Sequence, residues 1–112
     1  MKSFKKAAPA MGVEQFVRYA GVVGDFNPVH YDLNTAKSFK MPAVIGQGPL
    51  VMTLALDAAI AEEGLDNIKG IKARITAPAF PDTPITVECD DTGKISVSGP
   101  DSVMLKGEII AR

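Results

Sequence analysis

One segment limits the possible folds more than any other. Residues 49–61, PLVMTLALDAAIA, are apolar on nearly every side of a helix, and a helix of that kind is stable when other elements enclose it. The segment is too short to span a bilayer and carries Asp57 near its middle. Pro49 favours a helix start, and Gly64 favours a helix end. The sequence therefore predicts a helix buried inside the protein.

After Gly64 the hydrophobic period changes from helical to two. Apolar residues alternate with polar ones over 71–77 and again over 85–89, which is typical of half-buried strands. Residues 94–98 and 103–111 predict two further strands, joined by a turn at Gly99 and Pro100. Upstream, the patterns over 12–23 and 33–39 predict two short helices, the second capped by Asp32.

Helices followed by about four antiparallel strands form an α+β layout. The economical arrangement is a single domain, residues 1–112, in which one sheet wraps around the buried helix. No clear strand precedes the first helix, and we interpret the basic cluster Lys2, Lys5 and Lys6 as a solvated tail. A sheet this small leaves an edge that invites pairing with a second subunit.

Charge and cysteine content exclude several function classes. A net charge of −1 offers no electrostatic case for binding nucleic acid or an anionic membrane. The single cysteine, Cys89, cannot form an internal disulfide, and its alternating surroundings predict a buried strand thiol rather than a nucleophile. One Cys and one His do not make a tetrahedral zinc site, and the N-terminus lacks the apolar run of a secretory signal. We expect a metal-free, cytoplasmic protein.

The stretch GDFNPVH, residues 24–30, carries the residues with chemical potential. It contains Asp25 and the only histidine of the chain, His30. Asn27 and Pro28 between them are turn formers, so both side chains can face one pocket. An imidazole, which titrates near neutral pH, beside a carboxylate is the minimum needed to move a proton. The alternative is that both residues only decorate a tight turn.

A second candidate element is Gly48, at the start of the buried helix. Backbone N–H groups at that end lack helical partners and the helix dipole is positive there, so the position can stabilise an oxyanion. Equally, Gly46 and Gly48 can simply permit tight packing.

Three stretches resemble one known family. YAGVVGDFNPVHYD is similar to the hydratase-2 motif of the MaoC-like dehydratases and (R)-specific enoyl-CoA hydratases, which have the hot-dog fold. IGQGPLVMTLALDAA resembles the segment of that family in which a glycine precedes the central helix, and RITAPAFPDTPITVE resembles its later strand pair. The resemblance covers the chain from about Val13 onward.

The resemblance implies roles for individual residues. Asp25 and His30 match the catalytic dyad, and Gly48 matches the glycine whose N–H binds the thioester oxygen. The implied reaction is reversible syn addition of water to a trans-2-enoyl thioester, giving a (3R)-3-hydroxyacyl product without metal or organic cofactor. Asn27 and Gln47 are further candidate substrate contacts. Where the family often has histidine this chain has Gln47, so we expect an altered pocket wall.

Two rival functions stay open. Hot-dog acyl-CoA thioesterases carry a carboxylate on the central helix, for which Asp57, Glu62 and Glu63 are candidates. A non-catalytic acyl-binding subunit of a heteromeric dehydratase is the second rival, although this chain keeps both members of the dyad. The short chain favours a homodimer, or a heterodimer with a related hot-dog subunit. The acyl group, the choice between coenzyme A and acyl carrier protein, and the place in fatty-acid metabolism are left open.

Overall fold

The computed structural model describes residues 1–112 and contains five strands and three α-helices. The order along the chain is β1 (Phe4–Ala8), α1 (Val13–Val23), a 3-10 turn (Pro28–His30), α2 (Leu33–Ser38), α3 (Gly48–Glu63), a second 3-10 turn (Leu65–Asn67), β2 (Ile68–Ile75), β3 (Ile85–Cys89), β4 (Lys94–Ser98) and β5 (Val103–Ala111). None of the helices combines the length and apolar character that crossing a membrane requires.

The strands form one antiparallel sheet in the order β1-β3-β4-β5-β2, with α3 packed against one face. Val87, Val97 and Leu105 from the inner face of the sheet are fully buried, as are Val51 and Ala55 of α3. Alternation along each strand places the charged residues on the opposite, outer face. This sheet, wrapped around a central helix, is the α+β hot-dog fold that the sequence predicts.

The central helix is less enclosed than its composition suggests. One side packs into the core, whereas another faces solvent at Thr53, Asp57, Ala61 and Glu62. The polar residues of α3 thus mark the one side that the sheet does not cover.

The expectation that no strand precedes the first helix is wrong. β1 pairs with β3 from Phe4 opposite Cys89 to Ala8 opposite Ile85. Lys6 Nζ lies 3.2 Å from Glu62 Oε1, and the Lys2 N–H donates to Glu63 at 2.7 Å, so the basic cluster is not a free tail. Two adjacent lysines interrupt the alternation of apolar and polar residues in FKKAA, so the sequence pattern is weak. β1 is nevertheless an edge strand of the sheet, paired with β3 alone.

Most other predicted elements are confirmed. Helices α1 and α2 lie where expected, and the Asp32 side chain caps α2 by accepting from the Asn34 N–H. Strand β2 extends from Ile68 to Ile75, beginning before residue 71 and ending short of residue 77.

Cys89 is a buried strand thiol, as predicted. Burial raises the pKa of this thiol, and the nearby carboxylates of Asp90 and Glu63 raise it further. A thiol held protonated is a weak nucleophile, so the structure favours a packing role for Cys89.

The β2–β5 contact allows no side chain at Gly107. This residue lies opposite Ala73, and a Cβ added to it would lie 2.7 Å from the Ala73 Cβ and clash with the Lys72 carbonyl oxygen. We expect Gly107→Ala to lower the free energy of unfolding by about 1–3 kcal/mol, because the backbone must shift. Gly21→Ala, on α1 with nothing within 4 Å of the added Cβ, should raise it by about 0.5–1 kcal/mol. Urea denaturation measures both, and equal effects would contradict the packing argument.

The β3–β4 turn depends on one carboxylate. Asp90 Oδ1 accepts from the Thr92 hydroxyl at 2.6 Å, the Thr92 N–H at 2.9 Å and the Lys94 N–H at 3.0 Å. The Thr92 hydroxyl contributes most to lowering the pKa of Asp90 below its ordinary value of 3.8. Because the folded-state pKa is lowered, the stabilisation is full above pH 3.8 and is lost as the pH falls through that lower value.

Asp90→Ala should therefore lower Tm at neutral pH, and its difference from wild type should shrink as the pH falls below 3.8. Asp91→Ala serves as the control, because Asp91 accepts none of these hydrogen bonds. Thermal melts over a pH series measure the effect. A Tm difference that stayed constant down to strongly acidic pH would show that the carboxylate charge is not what supports the turn.

Candidate active site

The stretch GDFNPVH links α1 to the first 3-10 turn. Gly24 ends α1 with φ of 74°, a left-handed conformation that favours glycine, and its N–H donates to the Ala20 carbonyl. Asp25 Oδ1 then accepts from the Asn27 N–H at 3.2 Å, and Asn27 Oδ1 accepts from the Val29 N–H at 3.2 Å. These successive side chain-to-backbone bonds hold the turn in one shape.

The turn brings its two ionisable side chains together. His30 Nε2 lies 3.4 Å from Asp25 Oδ2, with the imidazole 11% exposed and the carboxylate 47% exposed. One member of the pair is therefore enclosed by protein, while the other reaches solvent. A carboxylate and an imidazole in this arrangement can exchange a proton with a molecule bound beside them.

A backbone carbonyl sets the orientation of the histidine ring. His30 Nδ1 lies 2.7 Å from the Ile45 oxygen. Because a carbonyl only accepts hydrogen bonds, Nδ1 carries a hydrogen. In the neutral imidazole the lone pair is then on Nε2, which faces Asp25. Nothing in the sequence pattern identifies Ile45 as the residue that orients His30, because any residue type supplies a carbonyl.

The same residue ties the turn to the start of α3. The Ile45 N–H donates to the Val29 carbonyl at 3.2 Å, so one peptide segment holds two consecutive residues of the turn. Gly48 begins α3 three residues later. Its N–H donates to no backbone carbonyl, whereas the Leu50 N–H bonds to the Gln47 carbonyl. The start of α3 thus presents a free donor at the positive end of a helix.

Both glycines before Pro49 also have packing reasons. A Cβ on Gly46 would lie 3.0 Å from the Phe16 ring, and one on Gly48 would lie 3.0 Å from Ile75 Cγ1. Tight packing accounts for Gly46. For Gly48 the structure shows both features, the close approach of β2 and the free N–H.

Gln47 is buried rather than part of an open pocket wall. Its side chain is 1% exposed, and its Nε2 donates to the Phe16 carbonyl at 2.8 Å, which joins α1 to the start of α3. Its Oε1 is buried and has no hydrogen-bond partner. A buried acceptor without a donor is costly, and because the side chain is enclosed, Gln47 holds α1 against the start of α3 instead of lining an open pocket.

Several large apolar residues lie close to Asp25 and His30 in the sequence. Tyr31 closes the turn by donating its hydroxyl hydrogen to the Phe26 carbonyl at 2.8 Å. Phe26, Tyr31, Leu33 and Phe39 are all exposed, although large apolar residues are usually buried. The aromatic residues within and after GDFNPVH are the sequence signal for this apolar surface.

The carboxylates that a thioesterase would use lie away from the Asp25–His30 pair. Asp57 lines a cleft of about 350 Å³ together with Lys6, Gln15 and apolar residues of α3 and β3. Glu62 accepts from Lys6 of β1, and Glu63 accepts from the N–H of Lys2, just before β1. Two of the three carboxylates therefore have structural partners, while Asp57 lies beside a cleft.

A family model, described as a MaoC like domain, matches residues 3–111. The chain belongs to the MaoC-like family. Membership supports a hydratase or dehydratase type of enzyme, and it extends the resemblance to β1, which the sequence motifs did not reach.

Solved structures agree with the MaoC-like fold. The (R)-hydratase PhaJ1 from Pseudomonas aeruginosa superposes with a TM-score of 0.75 at 24% identity, over 97% of this chain and 79% of that one. An (R)-hydratase from A. caviae involved in PHA biosynthesis gives 0.78 at 19% identity, over 100% and 96%. A MaoC-like dehydratase from Phytophthora capsici gives 0.85 at 24% identity, but this chain spans only 41% of it.

Asn27 generates a test of the turn. Its side-chain oxygen caps the 3-10 turn that carries His30, so we expect Asn27→Ala to lower the free energy of unfolding by about 1 kcal/mol. Asn27→Asp keeps an acceptor at that position and should retain most of the stability. Urea denaturation measures both variants. If the aspartate variant lost as much stability as the alanine variant, the capping role would be wrong.

Proposed function

We propose that this MaoC-like chain is a hydro-lyase that adds water reversibly to a trans-2-enoyl thioester, giving a (3R)-3-hydroxyacyl thioester. The observation that carries the proposal is the Asp25–His30 pair, 3.4 Å apart, with the imidazole oriented by the Ile45 carbonyl. Family membership and the likeness to two (R)-hydratases support the reaction class.

The orientation of His30 assigns the first proton transfer. With Nδ1–H bound to Ile45, the free lone pair of Nε2 accepts a proton from a water bound beside His30 and Asp25. The resulting hydroxide attacks Cβ of the enoyl group. The Asp25 carboxylate, 3.4 Å away, stabilises the imidazolium that forms. The Asp25–His30 pair then delivers a proton to Cα, and because both groups lie on one face of the substrate, addition is syn.

Attack at Cβ moves charge onto the thioester oxygen. We assign the stabilisation of that charge to the Gly48 N–H, which has no partner in the protein and lies at the positive end of the 16-residue α3. Removing one oxyanion donor from an enzyme typically costs about 10²–10³ in rate. Substitution cannot delete this donor without adding a Cβ against Ile75, so the Asp25–His30 pair is the better test.

We also propose that the active unit contains a second hot-dog subunit, either a copy of this chain or a related one. The sheet has two unpaired edges, at β1 and β2, and apolar residues beside the Asp25–His30 pair are exposed. A similar structure, at 18% identity and TM-score 0.76, is a complex of two named proteins, ChsH1 and ChsH2 from Mycobacterium tuberculosis. Light scattering coupled to chromatography tests the idea, and an active monomer would refute it.

Substitution of the dyad separates hydration from the rival functions. Asp25→Asn and His30→Gln should each lower kcat for hydration of a short trans-2-enoyl-CoA by about 10²–10⁴ with little change in the urea midpoint. The assay follows the enoyl absorbance and free thiol together. Asp57→Asn is the matched control, because Asp57 lies on α3 away from the turn, and it should leave hydration unchanged.

Each alternative predicts a different result in that assay. Thiol release that Asp57→Asn abolishes would indicate a thioesterase. Binding of the enoyl thioester without turnover, even with a partner subunit present, would indicate an acyl-binding subunit. Near wild-type hydration by either dyad variant would refute the assignment of Asp25 and His30.

A further inference from the structure

The outer face of the sheet contains an open groove that the proposed reaction does not use. Its volume is about 740 Å³, and its lining includes the basic side chains Lys72, Arg74, Lys94 and Lys106. The carboxylates of Glu88, Asp90 and Glu108 lie in the same lining. A groove with both signs of charge is ordinary on a protein surface, so the pairing of the charges decides what this one can bind.

The strand register pairs most of these charges with a neighbour of opposite sign. Glu108 lies between Lys72 on β2 and Lys94 on β4. Glu88 lies opposite Lys5 on β1. Asp90 is bound by Thr92 and the Lys94 N–H within its own turn. Each carboxylate of the groove therefore has a cation or a hydrogen-bond donor next to it in the register, although none of the three belongs to an ion pair of the chain.

Two cations lack such a partner. Arg74 lies directly opposite Lys106 on the neighbouring strand, and the next residue in the same row is Ser96. Neither cation has a carboxylate directly opposite it, and Ser96 separates Lys106 from Glu88 in the same row. Side chains directly opposite in an antiparallel pair lie about 5 Å apart at Cβ, and like charges there are destabilising. An anion bound between Arg74 and Lys106 removes this repulsion.

We propose that Arg74, Lys106 and Ser96 form a binding site for a phosphate group. A guanidinium donates two parallel hydrogen bonds to a phosphate, an ammonium adds a point charge, and a hydroxyl adds a third donor. Lys72 and Lys94 lie on either side of the single carboxylate of Glu108, so that row also carries a net positive charge beside the site. The phosphate is either free in solution or part of a larger ligand that carries it.

The position of the site relates it to the proposed reaction. Arg74 precedes Ile75, whose side chain lies against Gly48 at the start of α3. Adjacent strand residues point to opposite faces, so β2 separates the phosphate site from the start of α3. If the proposed function holds, the phosphates of a thioester carrier such as coenzyme A are the second source of the ligand.

The first experiment uses inorganic phosphate and needs no enzyme activity. Phosphate is titrated at low ionic strength into wild type and into the double variant Arg74→Gln/Lys106→Gln, with amide NMR shifts as the signal. The control is Lys37→Gln/Lys69→Gln, which changes net charge equally outside the groove. We expect Kd to rise at least about tenfold in the groove variant and less than about twofold in the control. Equal changes in both, or no change in either, would overturn the site.

The Tm measured in phosphate-free buffer provides an independent test of the like-charge pair. Arg74→Gln removes the like-charge pair, so Tm should rise by roughly 1–4 °C over wild type in a phosphate-free buffer. Adding phosphate should raise the Tm of wild type more than that of the double variant. A Tm of Arg74→Gln below that of wild type in phosphate-free buffer would show that no repulsion exists and would count against the proposal.

Kinetics then identify the source of the phosphate. A trans-2-enoyl-CoA and the corresponding N-acetylcysteamine thioester, which has no phosphate, are compared as substrates. If Arg74→Gln/Lys106→Gln lowers kcat/KM about tenfold for the CoA ester but not for the N-acetylcysteamine ester, the site binds the phosphates of the carrier. Unchanged kinetics together with weakened phosphate binding assign it to a free anion. If wild type hydrates neither ester, the proposed function fails, while the phosphate titration still decides the site.

Discussion

The hydrogen bond from His30 Nδ1–H to the Ile45 carbonyl, 2.7 Å long, is the contact on which the candidate site depends. It selects which ring nitrogen carries the hydrogen and therefore which one faces Asp25. Together with the Ile45 N–H bond to Val29, it fixes the turn to the segment that enters α3. A single residue thereby couples the proton-transfer pair to the helix end that presents the free Gly48 N–H. Disturbing this segment would affect the base and the oxyanion donor together.

Close packing maintains this coupling. The segment between the turn and α3 lies against the Phe16 ring at Gly46 and against Ile75 at Gly48, and the buried Gln47 amide bonds to the Phe16 carbonyl. Phe16 belongs to α1, so the helix that ends in the turn also supports the start of α3. Cores packed at crystal-like density transmit small displacements. Phe16 thus holds the segment that leads into α3 at two points, through its ring at Gly46 and through its carbonyl at Gln47.

The sequence predicts the elements of this structure better than their contacts. Alternating apolar residues locate β3, β4 and β5, and the composition of GDFNPVH predicts a turn that brings Asp25 and His30 close together, as the structure shows. Strand β1 is missed because lysines interrupt its short alternating pattern. The sequence also gives no sign that Lys6 bonds to Glu62, which is 56 residues away. The roles of Ile45 and of the Arg74–Lys106 pair cannot be predicted either, because a backbone carbonyl carries no residue signature and register emerges only when the sheet forms.

The two faces of the sheet show how register adds information to composition. On the inner face the apolar side chains of the strands pack against α3. This packing positions Gly48, the first residue of α3. On the outer face the same register arranges a nearly neutral chain into rows of unequal charge: Lys72, Glu108 and Lys94 alternate in sign, while Arg74 and Lys106 do not. Net charge offers no reason to expect an anion site, and scattered lysines alone would be solvated. A local excess of positive charge arises because β2 and β5 pair in one register, and a slip of one residue would place Arg74 opposite a different neighbour and turn its side chain toward the core. The hydrophobic pattern that buries the inner face therefore also determines the electrostatics of the outer one.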